Sequence, residues 1–318
     1  MDSDLSRAVE LLKQGLPVSI PTETVYGLAA AIDNPQAVEQ VFRLKERPFF
    51  DPLIVHISDP QEINSLVLDV PPAAWLLINN FWPGPLTLVL PRRDCINQMI
   101  CSGLDTVAVR CPAHPLARAV IEGVGVPIAA PSANRFGRTS PTRAEHVKSE
   151  WPNGEVFVLD GGECSLGVES TVVRVEEKVE GTLVALLRPG SVTTEMLRSA
   201  LISSPRPCTV ERIASVASPG SCEHHYMPTI PLVVVNRGTV PLDKTKVEDL
   251  SGRLGVAAVC EYMPLSQDPV IVARQLYSSM REAAETGAAF IVCEAPPSAE
   301  GVWEAISDRL KRAATYWE

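Results

Sequence analysis

Apolar and polar positions along this chain change period repeatedly, and the changes mark its elements. Leu5, Ala8, Val9 and Leu12 recur at helical spacing, and Gly15 follows as a residue able to end that helix in the left-handed conformation. Val18 to Ile20 is a short β-branched run and predicts a strand. Asn34-Pro35 supplies an N-cap followed by a proline at the first helical position. Ala37, Val38, Val41, Phe42 and Leu44 give the ensuing helix one apolar face, which stops at Lys45 to Pro48. Short apolar runs predict further strands over 53–57, 86–90, 106–110, 126–130, 156–159, 171–175 and 183–187, with helices over 73–81, 115–122 and 194–201.

Strands mixed with helices over the first 202 residues predict one α/β domain with a mixed sheet and flanking helices. Residues 203–231 are rich in Ser, Pro and charge without periodicity, and read as a linker. Over 232–318, strands at 232–235, 256–259 and 289–293 alternate with amphipathic helices at 270–285 and 302–314. That alternation predicts a smaller, Rossmann-like α/β domain with a parallel sheet.

Composition narrows the function classes. The chain is 46% hydrophobic and 21% charged, which suits a globular protein, and only 5% aromatic, so its core is aliphatic. A net charge of -10 argues against a broad nucleic-acid surface, but leaves room for a small basic hollow. The Met-Asp-Ser-Asp start has no basic and apolar leader pattern, and no apolar run reaches membrane-spanning length. The 8 cysteines form no Cys-x-x-Cys pair, which reads as reduced thiols in a cytoplasmic protein. Cys222-Glu-His224-His225 suggests zinc, but a second ligand pair at finger-like spacing is missing, so no metal ligands are expected in the chain.

The chain has no glycine-rich phosphate loop, no dinucleotide fingerprint, no nucleophile elbow and no His-Glu-x-x-His. An anionic ligand would have to be neutralised by side chains. Lys45, Arg47, Arg110 and Arg188 each stand at the end of a predicted element, and an arginine fork donates two parallel bonds to phosphate or carboxylate. Taken singly, each also reads as a surface charge. His56 reads as a buried strand histidine, Thr22 and Thr24 as β-branched neighbours of a strand, and Asp51, Ser132, Ser140 and Ser170 as turn residues. Residue types alone stop at an α/β enzyme with an anionic ligand.

Their combination is more specific. Pro21-Thr-Glu-Thr-Val-Tyr-Gly27-Leu, Lys45-x-Arg-Pro48, Pro52-Leu-Ile-Val-His56, Trp82-Pro-Gly-Pro-Leu-Thr87, Leu104-Asp-Thr-Val-Ala-Val-Arg110, Ala130-Pro-Ser-Ala-Asn134, Ser140-Pro-Thr142 and Val168-Glu-Ser-Thr171 follow in order. Over nearly the whole chain they resemble the YrdC/Sua5 family, the L-threonylcarbamoyladenylate synthases. Pro219-Gly220, His225-Tyr226-x-Pro228 and Gly301 to Leu310 resemble the linker and C-terminal domain of its longer, Sua5-type members.

The resemblance implies a YrdC-like open twisted mixed sheet and a nucleotidyltransferase. Such an enzyme forms threonylcarbamoyl-AMP and pyrophosphate from L-threonine, bicarbonate and ATP with Mg²⁺. The product passes to a tRNA-threonylcarbamoyl transferase for t6A formation, without stable tRNA binding or membrane association by the synthase. Thr24, His56, Arg110, Ala130 and Ser170 match threonine-contacting positions. Arg47, Asp51, Thr106, Ser132, Ser140 and Arg188 match ATP-contacting positions. Lys45 joins Arg47 as the family's basic, catalytic pair, and Tyr226 matches a linker tyrosine that closes over the nucleotide. The chain departs from the family pattern at Asp51, usually Asn, and at Glu223 and Met227 in the linker motif. Two other classes stand beside the synthase. An RNA-binding module without turnover would need a basic footprint, and a sugar-phosphate lyase would need an acidic metal cluster that the sequence does not show.

Overall fold

Strand direction in a ten-stranded mixed sheet decides where the site forms. The computed structural model describes residues 3–213 and 225–318. Pro219, Gly220, Cys222, Glu223 and His224, singled out in the sequence, lie outside the described residues.

The chain runs α1 (Ser3–Lys13), β1 (Val18–Ile20), β2 (Gly27–Ala31), α2 (Pro35–Lys45), β3 (Ile54–His56), a 3-10 turn (Pro60–Ser65), α3 (Pro72–Phe81), β4 (Leu86–Pro91) and β5 (Thr106–Arg110). It continues through α4 (Pro115–Val124), β6 (Ile128–Ala129), α5 (Ala144–Glu150), β7 (Phe157–Val158), β8 (Thr171–Lys178), β9 (Gly181–Arg188), α6 (Thr194–Ala200) and β10 (Cys208–Arg212). These strands pair in the order β10-β9-β8-β4-β5-β3-β6-β2-β1-β7, with parallel and antiparallel neighbours mixed.

Local chemistry sets the helix ends. Leu16 N–H bonds to Leu11 C=O at 2.9 Å and Gly15 N–H to Leu12 C=O at 3.0 Å, the paired bonds of a Schellman ending, with Gly15 at φ 79°. Asn34 accepts from Ala37 N–H at 3.0 Å and caps α2. On one sheet face Val38, Val41, Leu77 and Leu197 pack with Leu88, Val109 and Val173. On the other, Leu12, Val120 and Ile121 of α1 and α4 cover Val18, Ile20 and Ile128. Further along that sheet Ile54, Val89, Ala108, Val172 and Leu187 form a separate cluster.

The remainder is β11 (Leu232–Val235), α7 (Lys244–Leu254), β12 (Cys260–Met263), α8 (Pro269–Glu285), β13 (Phe290–Glu294), α9 (Val302–Ala313) and β14 (Tyr316–Trp317). Its strands are all parallel, in the order β12-β13-β11-β14. Leu232 and Val234 face α8 and α9, while Val233 and Val235 face Leu250 of α7. Both faces are covered, so β11 reads as a continuous apolar run.

The sequence reading misplaced or missed several elements. The strand expected at 256–259 lies at Cys260–Met263 instead. Val256 N–H bonds to Ser251 C=O at 3.1 Å and helps end α7, so the apolar run begins as a helix terminus. α7 itself was not anticipated. Within the stretch read as linker, Cys208–Arg212 forms β10 and pairs parallel with β9. β2, with sequence Gly-Leu-Ala-Ala-Ala, lacks the β-branched signature of a strand.

Candidate active site

The parallel pair β3 and β5 places His56 directly opposite Arg110 at their C-terminal ends. β4 runs antiparallel to β5 and starts at that same edge, β8 runs parallel to β4 from Thr171, and β9 returns to end at Arg188. One sheet edge thus collects His56, Arg110, Ser170 and Arg188 from distant parts of the chain. The loop between β1 and β2 adds Thr22 and Thr24, and the segment after β6 adds Ala130 to Ser132. The cavity they enclose, about 50 Å³, is also lined by Arg47, Glu169, His225 and Tyr226.

Arg110 anchors one side. It is buried, donates to Thr24 Oγ1 at 2.9 Å and to Gly84 C=O at 3.2 Å, and pairs with Glu23 at 2.7 Å. Thr22 Oγ1 braces the loop by donating to Val25 C=O at 2.6 Å and lying 2.9 Å from Thr24 Oγ1. His56 Nδ1 lies 3.1 Å from Ile54 C=O, and burial next to the Arg110 charge pushes its pKa down to about 3. The ring is therefore neutral at pH 7 and offers a polar wall without a second cation.

Arg47 anchors another side. Its guanidinium donates to the carbonyls of Asp51 at 3.1 Å and Pro52 at 2.9 Å, and pairs with the Asp51 carboxylate at 2.8 Å. The acid at this family-variant position thus faces a cation. Asp51→Asn should remove the anion from a pair whose side chains are only 5% and 1% exposed, at a cost of about 3 kcal/mol. Thermal melting should fall by roughly 6–12 °C; an unchanged melting point would show that Asp51 does not balance Arg47.

Lys45 does not line the cavity. Its ammonium nitrogen donates to the carbonyls of Ser132 and Asn134, behind the wall. Burial, with Arg47 nearby, pushes its pKa well below the usual lysine range. Its position suits holding the Ser132–Asn134 segment in place, where Ser132 also bridges to Gly27.

The third side is denser. Arg188 donates to Ser170 C=O and Ser170 Oγ, both at 3.1 Å, and Ser170 Oγ lies 2.7 Å from Thr87 Oγ1. The Glu169 carboxylate accepts from Ser140 Oγ at 2.6 Å, Tyr277 O–H at 2.9 Å and Arg309 Nε at 2.9 Å. Burial opposes its ionisation, but the Arg309 and Arg188 charges and these donors outweigh it and hold the pKa at about 2. Beside this cluster, His225 and Tyr226 meet edge to face with centroids 4.1 Å apart, and the Tyr226 ring packs against Tyr277 with centroids 5.6 Å apart. Tyr226 sits at φ 68°, a strained conformation for a non-glycine residue. Among the described residues, His225 Nδ1 and the Tyr226 hydroxyl are buried without a hydrogen-bond partner, and such groups beside a cavity are the ones a polar ligand would satisfy.

The structure therefore brings Thr24, His56, Arg110, Ala130, Ser170, Arg47, Ser132, Arg188 and Tyr226 to one cavity. Ser140 and Asp51 stand one layer behind it, against Glu169 and Arg47. Thr106, expected at the nucleotide, pairs with Pro91 at the opposite end of β5 from Arg110. Four residue steps along a strand separate the two by about 13 Å, and Thr106 does not line the cavity. The sequence reading gave no role to Glu23, Glu169 or Arg309. A Glu beside Ser170 was visible, but its partner Arg309 lies 140 residues away and carries no local signal. Among the described residues, no group of three or more His, Cys, Asp or Glu is arranged to hold a metal ion. No described helix is long and apolar enough to cross a membrane.

Residues 10–190 match the Sua5/YciO/YrdC family profile, described as "Telomere recombination", and residues 192–315 match the profile "Threonylcarbamoyl-AMP synthase, C-terminal domain". The chain is 38% identical over 332 aligned residues to a threonylcarbamoyl-AMP synthase of Bacillus subtilis, covering 98% of this chain and 93% of that protein. It is 36% identical over 325 residues to the corresponding synthase of Pyrococcus abyssi, covering 97% and 93%. The crystal structure of P. abyssi Sua5 complexed with L-threonine superposes with a TM-score of 0.84 at 34% identity, covering 98% of this chain and 94% of that one. The large mixed sheet, the second parallel sheet and these matches along nearly the full length show that the chain belongs to the Sua5/YciO/YrdC family.

Proposed function

We infer that this chain is an L-threonylcarbamoyladenylate synthase, a nucleotidyltransferase that forms threonylcarbamoyl-AMP and pyrophosphate from L-threonine, bicarbonate and ATP. The observation that carries this reading is the convergence of three arginines, Arg47, Arg110 and Arg188, on one cavity whose lining carboxylate, Glu169, is already engaged by Arg309. Two anionic groups, a carboxylate and a polyphosphate, match that charge.

In the reaction we propose, Arg110 holds the threonine carboxylate in its fork, with Thr24 and His56 beside it. The threonine amine, as the free base, attacks bicarbonate carbon, and water leaves to give the carbamate. A carbamate oxygen then attacks the α-phosphorus of ATP, forming a C–O–P linkage as the bond to pyrophosphate breaks. Arg47 and Arg188 offset charge on the phosphates, and Ser132 and Tyr226 border the nucleotide. Positioning and charge neutralisation supply the rate.

Mg²⁺ bound to the phosphates would supply further charge neutralisation. The residues present suit a metal held by phosphates and water rather than by a protein cage. Glu169, the carboxylate on the cavity, already accepts from Ser140, Tyr277 and Arg309. The product would pass to a tRNA-threonylcarbamoyl transferase for t6A formation in the cytoplasm. Purified protein with ATP and Mg²⁺ should release pyrophosphate only when both threonine and bicarbonate are present. Release that is indifferent to threonine would reject this function.

A further inference from the structure

Arg309 heads the fully buried side chains among the described residues by volume, and it belongs to α9, next to the small sheet. Its guanidinium reaches across to the large sheet. Nε donates to the Glu169 carboxylate at 2.9 Å, Nη2 to the Glu169 carbonyl at 3.4 Å and Nη1 to the Pro189 carbonyl at 2.7 Å. Nη1 also donates to the neighbouring Asp308 carboxylate at 3.2 Å. The guanidinium carbon lies 5.5 Å from the centre of the Tyr226 ring. Tyr277 of α8 adds its hydroxyl to the same Glu169 carboxylate.

The placement is specific. Glu169 immediately precedes Ser170, and Pro189 immediately follows Arg188. Ser170 and Arg188 are the pair whose two mutual hydrogen bonds form one cavity wall. One guanidinium therefore fixes the backbone on both flanks of that pair. It also supplies the charge facing Glu169, a carboxylate that lines the cavity beside Arg188. Without Arg309, that carboxylate would repel an incoming polyphosphate and draw Arg188 away from Ser170. The two parts of the protein meet closely here: a Cβ built on Gly167 would sit 2.4 Å from the Arg274 carbonyl of α8.

We propose that Arg309 is a positioning residue of the nucleotide site: the C-terminal part neutralises Glu169, so that Arg188 stays on Ser170 and serves the phosphates of ATP. This rests on the reading of Arg188 as an ATP contact. The C-terminal part is then a component of the ATP site as well as a neighbour packed against it.

The test uses full-length Arg309→Met, the double variant Arg309→Met/Glu169→Gln, and Arg188→Ala, with KM for ATP and for threonine measured separately and each protein melted to confirm folding. Arg309→Met should raise KM for ATP at least tenfold while KM for threonine stays within about threefold. The double variant, which lacks the stranded carboxylate, should return KM for ATP to within about threefold of the parent. An Arg309→Met enzyme with KM for ATP within twofold of the parent overturns the proposal. So does a folded double variant whose KM for ATP remains tenfold raised. If Arg309→Met alone does not fold, the charge-free double variant decides by the same criterion. An Arg188→Ala enzyme with unchanged KM for ATP would instead defeat the assignment of Arg188, a failure recognisable whatever Arg309→Met does.

Discussion

Replacing Arg110 should lower kcat/KM for threonine by at least about 100-fold, equivalent to ~2.7 kcal/mol of transition-state stabilisation. The guanidinium is 3% exposed and is held from three directions, by Thr24, Gly84 and Glu23. Those contacts orient its fork and cost little reorganisation when a carboxylate arrives. A charge-assisted contact of this kind is worth about 1.5–3 kcal/mol, and a bidentate one lies toward the upper end. Arg110→Ala also strands Glu23, which is buried and would lose the cation facing it, so lost stability could masquerade as lost binding. Arg110→Lys separates the two. It keeps a charge opposite Glu23 but not the planar fork. Its melting point should stay near that of the parent while KM for threonine rises more than tenfold and KM for ATP moves little. A folded Arg110→Lys enzyme with normal KM for threonine would remove the carboxylate clamp from this account.

How much of this could be read beforehand depends on whether the signal was local. Gly15 and Asn34-Pro35 named their helix ends correctly because a cap is written within a few residues of where it acts. The β-branched runs that became β1, β3, β5 and β8 were equally legible. α7 was missed because its sequence, Lys-Thr-Lys-Val-Glu-Asp-Leu-Ser-Gly-Arg-Leu, carries a thin apolar stripe and depends on the small sheet for its stability. The site divides in the same way. Arg47, Arg110 and Arg188 stood at element ends and were found there. Their environment was less legible: that Lys45 turns to two backbone carbonyls and that Arg309 balances Glu169 depend on sheet order and on contacts between distant segments, whereas Asp51 balances Arg47 from only four residues on, through the fold of the intervening loop. Thr106 stands in a matching motif, and the direction of β5 places it at the start of the strand, four residues from Arg110.

Mild acid should destabilise this protein steeply, before its carboxylates titrate. Burial pushes His56 and His225 down to about 3 and His146 to about 4, and His114 is lowered as well. Nearby cations reinforce the shift: Arg110 for His56, Arg281 and Arg143 for His146, and Arg47, Lys45 and Arg188 for His225, the last opposed by Glu169. In the unfolded chain each imidazole titrates near 6.5, so below that pH the unfolded state binds more protons than the folded one. Their contribution is therefore fully present above about 6.5 and is lost as pH falls toward the folded values. Each such group contributes up to about 1.4 kcal/mol per pH unit, so His56, His225 and His146 together remove up to about 4 kcal/mol per unit between roughly pH 6 and 4.5. Glu169, held at about 2, adds its own loss only below about 4.5, where unfolded glutamates begin to protonate. Urea unfolding at pH 7, 6 and 5 should show this slope. His146→Gln should reduce it by about one third, because that ring lies outside the cavity and its Nδ1 accepts from Thr142 N–H, a role an amide oxygen can share. Equal stability at pH 7 and 5 would mean that these rings are hydrated or paired in the folded protein, and would reopen the electrostatics of the His56 and His225 walls of the cavity.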